Sequence, residues 1–557
     1  MGSSTKRDRA DFVPRHEGRH VLPNDPFFSR LLRHARRGRI AITDAPAGVT
    51  VTYGQLLDAV LSFREVVQGA IPVEGLERLQ EGREVYVGVL AAGGYEFTVA
   101  VLAVLALGAA VVPMFPAAPL EELVYYATKS EQVAILSSAS TANLAHAAAS
   151  ECGLKHITVL PHLPTRASLK PIDMTISSDP PRDPRSPGVV IFTSGTTGKP
   201  KGVVLRRTYT HEAALAIGDG YDISASDVVL HTLPVHHTTG LGTSFFPFLN
   251  AGACIEFHGK FDAKTVMDRW LQGGLTVFSA VPTIYQRLKW FVEKLPQQQQ
   301  IPYKQASRQF RAFLCGSSAL QDNVQEYWSS IRKTPILTRY GATEIPGCLR
   351  VPYDPTSTPR GSVGLPVPGV ELRISPEGEL LVKSPNMFAK YLADPEATLK
   401  AHDDEGWYRT GDIARQENGY YFIVGRASVD IIKSGGYKIS AIDIERECLT
   451  LPYVSEAAVV GVEDEEFGQR VGAIVVAHSI PDLTLAKLRS DLRGRLAGYK
   501  LPTILRVERN ELPKTATGKV QKKLLGPKLI PSPGYLQMSE VQVWKKTANT
   551  GIVRARL

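Results

Sequence analysis

From about Val49 to Val370, short apolar runs such as VYVGVL, AAVVPM, VAILSS, VVIFTS, TVFSAV and FRAFLC alternate with longer stretches of helical length. A run of four to eight apolar residues fits a strand covered on both faces, and the intervening helices supply the cover, so the pattern predicts stacked α/β layers. Residues 97–114, FTVAVLAVLALGAAVVPM, carry no charge and are long enough to suggest a membrane span. Gly108 and Pro113 interrupt them, and the pattern resolves better into a buried helix over 95–107 and a buried strand over 110–114. After Gly364 the texture shortens to strands and turns: VELRI, GELLV, WYRTGDIA, NGYYFIVGR. From Val429 the order is strand, helix (441–451), strand (455–462), strand (473–478), helix (484–496), strand (504–507), a small α+β domain. The QQQQ at 297–300 reads as a solvated loop.

The chain's 557 residues exceed what one core organises, and 43% hydrophobic with 21% charged residues excludes disorder. A net charge of +9 favours anionic partners. Neither interleaved aromatic and basic residues nor zinc-ligand spacing is present, which argues against nucleic acid. Five widely spaced cysteines point to a reducing compartment and away from disulfides or a metal cluster. The N-terminal segment has no apolar core for a secretory signal, Lys6 stands where myristoylation wants Ser or Thr, and Asp8, Asp11 and Glu17 oppose a mitochondrial address.

Chemistry first appears in TSGTTGKPKG, residues 193–202. GVVIF before it and GVVLRR after it both read as strands, with helical pattern resuming at about Thr208, so the loop joins two strands. Glycines let the backbone turn N–H groups inward, while hydroxyls and the charges of Lys199 and Lys201 suit a polyphosphate. By composition alone the same loop is a flexible linker. Its spacing also differs from the kinase-type phosphate loop.

Five further stretches follow in order: GSSAL (316–320), RYGATE (339–344), GWYRTGD (406–412), GRASVDIIKSGGYKIS (425–440) and PKTATGK (513–519). Together with the loop they resemble the adenylate-forming superfamily of acyl-CoA synthetases, luciferases and peptide-synthetase adenylation domains, over roughly residues 49–525. LPVHHTTGL, AVPTIYQRL, GSVGLPVPGVELRI and VDIIKSGGYKIS are most similar to malonyl-CoA synthetases. The resemblance implies a large N-terminal AMP-binding domain of layered α/β sheets over 1–425, a small mobile α+β domain over 426–525, and a polar tail over 526–557. It also implies two steps: a carboxylate attacks the α-phosphate of ATP, releasing pyrophosphate, and the acyl-adenylate is captured by the thiol of coenzyme A. Lysines, hydroxyls and Mg²⁺ would do this work by neutralising crowded anions.

Carried over by the resemblance, Thr193, Ser194, Gly195, Thr196, Thr197, Gly198, Lys199 and Lys201 grip the β- and γ-phosphates. Thr343 donates to the α-phosphate and Glu344 holds Mg²⁺. Asp412 accepts the ribose hydroxyls, with Arg426 beside it, and Gly316, Ser317, Ser318, Tyr340 and Gly341 border the nucleotide. Lys519 sits on the carboxylate and α-phosphate oxygens during adenylation. Rotation about Ser428 then brings Lys433, Ser434, Gly435 and Gly436 to the pantetheine arm of coenzyme A. His236 and His237 lie where a histidine gates the acyl tunnel or helps deprotonate the CoA thiol, His237 being the choice.

Arg339 stands where malonyl-CoA synthetases bind the distal carboxylate, which selects malonate or another short dicarboxylic acid. Thr338 and Ala342 occupy positions where those enzymes usually have Glu and Met, a departure that would fit a larger or different acid. Alternatives are an adenylating enzyme for another acid, one that loads a separate carrier protein, and a non-catalytic nucleotide-binding protein; Lys519, Glu344 and Asp412 speak against the last. The final ARL, residues 555–557, is a variant of a peroxisomal address and implies the peroxisomal import receptor, with the cytoplasm as the alternative.

Overall fold

The computed structural model describes residue 18 and residues 20–159, 170–193, 199–354, 358–478, 480, 482–515, 518–532 and 534–544. It divides into two compact units, the first drawn from residues up to 409 and the second from 410 onward, with 321–326 and 373–381 also in the second.

The first unit holds two large sheets. One runs in the order Lys390–Tyr391, Lys201–Arg206, Pro187–Thr193, Ala110–Met114, Tyr86–Leu90, Gln132–Ser137, Lys155–Thr158. The other has nine strands among the described residues, and at its centre Ile336–Tyr340, Ala312–Cys315, Val277–Ala280, Val228–His231 and Cys254–Phe257 all run parallel. Parallel strands need covering helices on both faces, which is why they read as continuous apolar runs.

The uncharged stretch resolves as expected, into a helix over Tyr95–Leu107 and a strand over Ala110–Met114, both buried. Gly108, at φ +93, ends the helix in the left-handed conformation. At the other end the backbone N–H of Tyr95 donates to the Asp44 carboxylate at 2.8 Å, which satisfies one of the helix's free N–H groups. Among the described residues no helix is long and apolar enough to cross a membrane, and all five cysteines are free.

Gln297–Gln300 correct the sequence reading: they open a helix, Gln297–Ala306, rather than a loop. Glutamine is a good helix former, and Pro296 occupies the cap where its missing N–H costs nothing. Tyr303 anchors this helix by donating to Asp268 at 2.9 Å and packing edge-on against Phe291.

In the second unit, Val454–Asp464 pairs with Gly468–Ala477, which continues through Ile504–Glu508. Helices Ala441–Leu449 and Leu485–Leu492 and apolar clusters on both faces of this sheet complete the α+β fold. Part of the stretch read as a polar tail joins this sheet, since Val541–Val543 pairs with Ile504–Glu508.

Candidate functional site

The parallel direction of the central strands brings four separate motifs to one edge. The segments after Val228–His231, Val277–Ala280, Ala312–Cys315 and Ile336–Tyr340 all emerge at the carboxyl ends of neighbouring strands. That edge is where ligands bind in such sheets. It gathers His236 and His237, Gly316 to Ser318, and Arg339 to Glu344.

Strain and close approach mark these turns. Ser317 adopts φ +78, which is costly for a residue with a Cβ. A Cβ on Gly341 would fall 2.6 Å from the Gly347 nitrogen, so only glycine lets the 341–347 turn fold back on itself. The Arg339 side chain lies against Gly316, where a Cβ would approach its Cγ to 3.0 Å. Arg339 is 9% exposed, and both terminal guanidinium nitrogens are buried without a hydrogen-bond partner among the described residues. The buried Tyr221 hydroxyl also lacks a completed hydrogen bond among the described residues, and it lies near enough to Arg339 for the guanidinium to act on it both by charge and by an incipient hydrogen bond. A buried unpaired guanidinium is expensive to maintain.

The loop between Pro187–Thr193 and Lys201–Arg206 does join two antiparallel strands, with Thr193 opposite Lys201. Ser194, Gly195, Thr196, Thr197 and Gly198 lie outside the described residues. At its end, the Lys199 ammonium sits 5.3 Å from the Tyr125 ring centroid and Lys201 4.8 Å from that of Tyr391. Tyr391 also donates to a Glu344 carboxylate oxygen at 2.7 Å, so one tyrosine touches both the loop lysine and the acidic residue of RYGATE. The Glu344 carbonyl accepts from the Phe388 N–H at 2.9 Å, fixing that turn to the segment leading into Tyr391. Sequence reading missed Tyr125 and Tyr391, because neither lies in a motif: Tyr125 is on the helix Leu120–Lys129, and Tyr391 is brought in by the pairing of Lys390–Tyr391 with Lys201–Arg206. Thr343 in the same turn, and Tyr340 at the end of the strand that leads into it, are half-buried.

His236 packs between Phe115 and His237, with ring centroids at 4.7 and 4.6 Å. Burial, and secondarily the charge of His237, push its pKa down to about 3, so His236 is neutral at physiological pH. His237 caps the helix Thr238–Ser244. His231, fully buried, bonds the Gly240 carbonyl at 3.0 Å and is held neutral by burial, at about 4. No cluster of three or more His, Cys, Asp or Glu side chains is arranged to hold a metal among the described residues.

The remaining predicted residues belong to the second unit. The Asp412 carboxylate is buried and accepts from Arg426 Nε at 2.7 Å; Arg426 also donates to the Thr410 carbonyl at 3.0 Å. Ser428 is exposed in a tight turn closed by the Asp430 N–H bonding the Arg426 carbonyl at 2.7 Å. Lys433 and Ser434 end the strand Ile431–Ser434, and Gly435 and Gly436, at φ +54 and +85, form the two-residue turn into Tyr437–Ser440. Two positive φ angles match a twisted hairpin turn, which is why this position holds a glycine pair. Lys519 is exposed as a residue, but its ammonium lies within electrostatic reach of Arg426, Asp412 and Asp430. Lost hydration and then Arg426 hold its pKa below the usual lysine range, against the two carboxylates.

The family described as AMP-binding enzyme matches residues 31–392, and the AMP-binding enzyme C-terminal domain matches residues 443–519. Malonate–CoA ligase of Arabidopsis thaliana is 32% identical over 86% of this chain and 84% of its own. The mitochondrial malonate–CoA ligase ACSF3 of Mus musculus is 34% identical over 94% of this chain and 95% of its own. Among solved structures, ATP-bound MatB from Rhodopseudomonas palustris superposes with a TM-score of 0.75 at 28% identity, covering 90% of this chain and all (100%) of that one.

Proposed function

Because the chain belongs to the AMP-binding enzyme family and is an AMP-forming acid–CoA ligase, we propose that its acid is a short dicarboxylate, with malonate the first choice. One observation carries the choice of acid: the buried Arg339 guanidinium, both of whose terminal nitrogens lack a completed hydrogen bond among the described residues. A carboxylate can take both nitrogens in a planar fork, and a substrate that brings one repays the desolvation of the arginine. The acid's other carboxylate is then left to attack the α-phosphate of ATP.

In this reading the 193–201 loop holds the β- and γ-phosphates, its two lysines braced on Tyr125 and Tyr391. Gly316, Ser317, Ser318, Tyr340 and Gly341 border the nucleotide, Thr343 donates to the α-phosphate, and Asp412 accepts the ribose hydroxyls with Arg426 beside it. Glu344 fits a Mg²⁺ ligand because such an ion takes one or two protein carboxylates plus substrate phosphates, and no dedicated cage is needed. Bound there, Mg²⁺ supplies charge neutralisation on the phosphates. Lys519 neutralises the oxygens of the reacting carboxylate and α-phosphate. Lys433, Ser434, Gly435 and Gly436 admit the pantetheine arm after movement at Ser428. His237, beside the neutral His236, is the histidine assigned to the CoA thiol.

Tyr391→Phe keeps the ring under Lys201 and deletes the hydroxyl bonded to Glu344. Loss of a hydrogen bond to a charged group predicts about a tenfold fall in adenylation rate and a raised Mg²⁺ requirement. Initial rates over a magnesium titration check this.

The function itself is tested by pyrophosphate release, with CoA present, over a panel of mono- and dicarboxylic acids. Malonate or a neighbouring dicarboxylate is expected to give the highest kcat/KM. Preference for a medium-chain or aromatic monocarboxylate would overturn the choice of acid and give Thr338 and Ala342, the two departures, the deciding role. Adenylate formation that CoA fails to discharge would favour a carrier protein as acceptor. For location, the relative named mitochondrial lends no support to a peroxisomal reading of Ala555 to Leu557, and those residues lie outside the described structure.

A further inference from the structure

The charges of two carboxylates, Asp412 and Asp430, reach the Lys519 ammonium, and each of them is already ion-paired with another cation. Asp412 is held by Arg426 at 2.7 Å, and Asp430 by Lys522 at 2.6 Å. Lys522 also reaches Glu445 at 2.6 Å, and all three side chains of this triad are nearly buried, at 12%, 14% and 13% exposure. Lys519 itself has no ion pair among the described residues; its only hydrogen bonds are backbone ones, from its N–H to the Thr515 hydroxyl at 3.2 Å and from the Thr515 N–H to its carbonyl at 2.8 Å.

The triad is firmly built. Glu445, on the helix Ala441–Leu449, also accepts from the Val459 N–H at 2.6 Å. Asp430 accepts from the Arg426 N–H at 3.0 Å through its second oxygen, and it packs where a Cβ on Gly425 would come within 2.6 Å of its own Cβ. Asp430 therefore stays in place whichever cation it meets. Lys519 and Lys522 are three residues apart, and between them the Gln521 N–H bonds the Pro513 carbonyl at 3.2 Å. Two competing cations are thus offered to one fixed carboxylate.

We propose that Lys522 is a positioning residue that keeps Lys519 unpaired, by occupying the carboxylate of Asp430 that would otherwise capture it. A lysine needed on substrate oxygens is useless while clamped to a neighbour, and a buried carboxylate left without its cation is costly enough to draw in another cation within its electrostatic reach, as Lys519 is. Arg426 does the same for Asp412. The inference rests on the reading of Lys519 as the adenylation lysine.

The test separates half-reactions in the full-length enzyme. Lys522→Met is expected to slow acid-dependent pyrophosphate exchange by about thirtyfold, with KM for ATP changed by less than about threefold. Thioester formation from supplied acyl-adenylate should stay within about threefold, since Lys519 serves the first step only. Adding Asp430→Asn removes the captor, and the double variant should regain at least about tenfold in exchange rate. Lys522→Arg, which keeps the charge, should behave as the parent enzyme. Thermal unfolding of each variant is followed alongside; if Lys522→Met does not accumulate, Lys522→Gln replaces it with the same expected split. Equal losses in both half-reactions, or no recovery in the double variant, would show a triad that only stabilises the fold and would overturn the proposal. The premise fails separately: an active Lys519→Ala enzyme removes the role of Lys519, whereas an inactive one with an unsplit Lys522→Met removes only that of Lys522.

Discussion

Lys519→Ala stops acid-dependent pyrophosphate exchange, with a fall on the order of a thousandfold or more, while ATP affinity changes by less than about threefold. The size follows from what the group does. A carboxylate approaching a triphosphate places like charges together, and a single mobile cation on the developing oxygens is worth several kcal/mol only in the transition state. ATP is held in the ground state by other groups, among them the 193–201 loop, so binding survives. The ammonium is suited to that work because it has no ion pair among the described residues: Asp412 and Asp430 are matched by Arg426 and Lys522. Isotope exchange between pyrophosphate and ATP, with nucleotide binding measured on the same preparation, checks both halves. Exchange at the parent rate would remove Lys519 from the chemistry.

Arg339→Ala reverses the preference between acids. Use of malonate should fall by about a hundredfold to a thousandfold in kcat/KM, and use of a monocarboxylate of similar length by less than about fivefold. The asymmetry arises because the guanidinium is buried and its terminal nitrogens have no completed hydrogen bond among the described residues. A monocarboxylate leaves it so, and removing the arginine costs that substrate little; a dicarboxylate loses its fork. A second consequence separates this from a structural role. Removing an unsatisfied buried charge should leave the thermal midpoint of the ligand-free enzyme unchanged or raised, whereas an arginine that stabilised the fold would lower it. Malonate should raise the midpoint of the parent and not that of the variant. Equal losses for both acids, with a lowered midpoint, would make Arg339 structural. Arg339→Lys is not expected to rescue fully, because an ammonium cannot reproduce the planar fork.

Much of the architecture was written locally. The helix Tyr95–Leu107 and strand Ala110–Met114 fall where the apolar pattern and Gly108 put them, and the loop after Phe192 joins two strands as its flanks required. The glycine pair at 435 and 436 announces its own turn. Gln297–Gln300 misled because composition describes solubility, and a solvated segment can be helical when a long side chain such as Tyr303 ties it down. The order of the motifs identified the family, but a motif names residues without saying what they touch. Tyr391 is 47 residues from the Glu344 it bonds, and Lys522 is 92 residues from Asp430. No window of the sequence spans such separations.

By itself, then, the sequence determined which segments become strands and helices, which turns need glycine, and which residues can carry phosphate chemistry, because each depends on neighbours within a few positions. Only the tertiary structure decided that, among the described residues, the terminal nitrogens of Arg339 are buried without a hydrogen-bond partner, that Tyr391 joins Lys201 to Glu344, and that Lys519, within electrostatic reach of two occupied carboxylates, has no ion pair. Charge pairing and burial depend on sheet register and on where distant strands end, and electrostatic free energy is set by distance in space rather than along the chain.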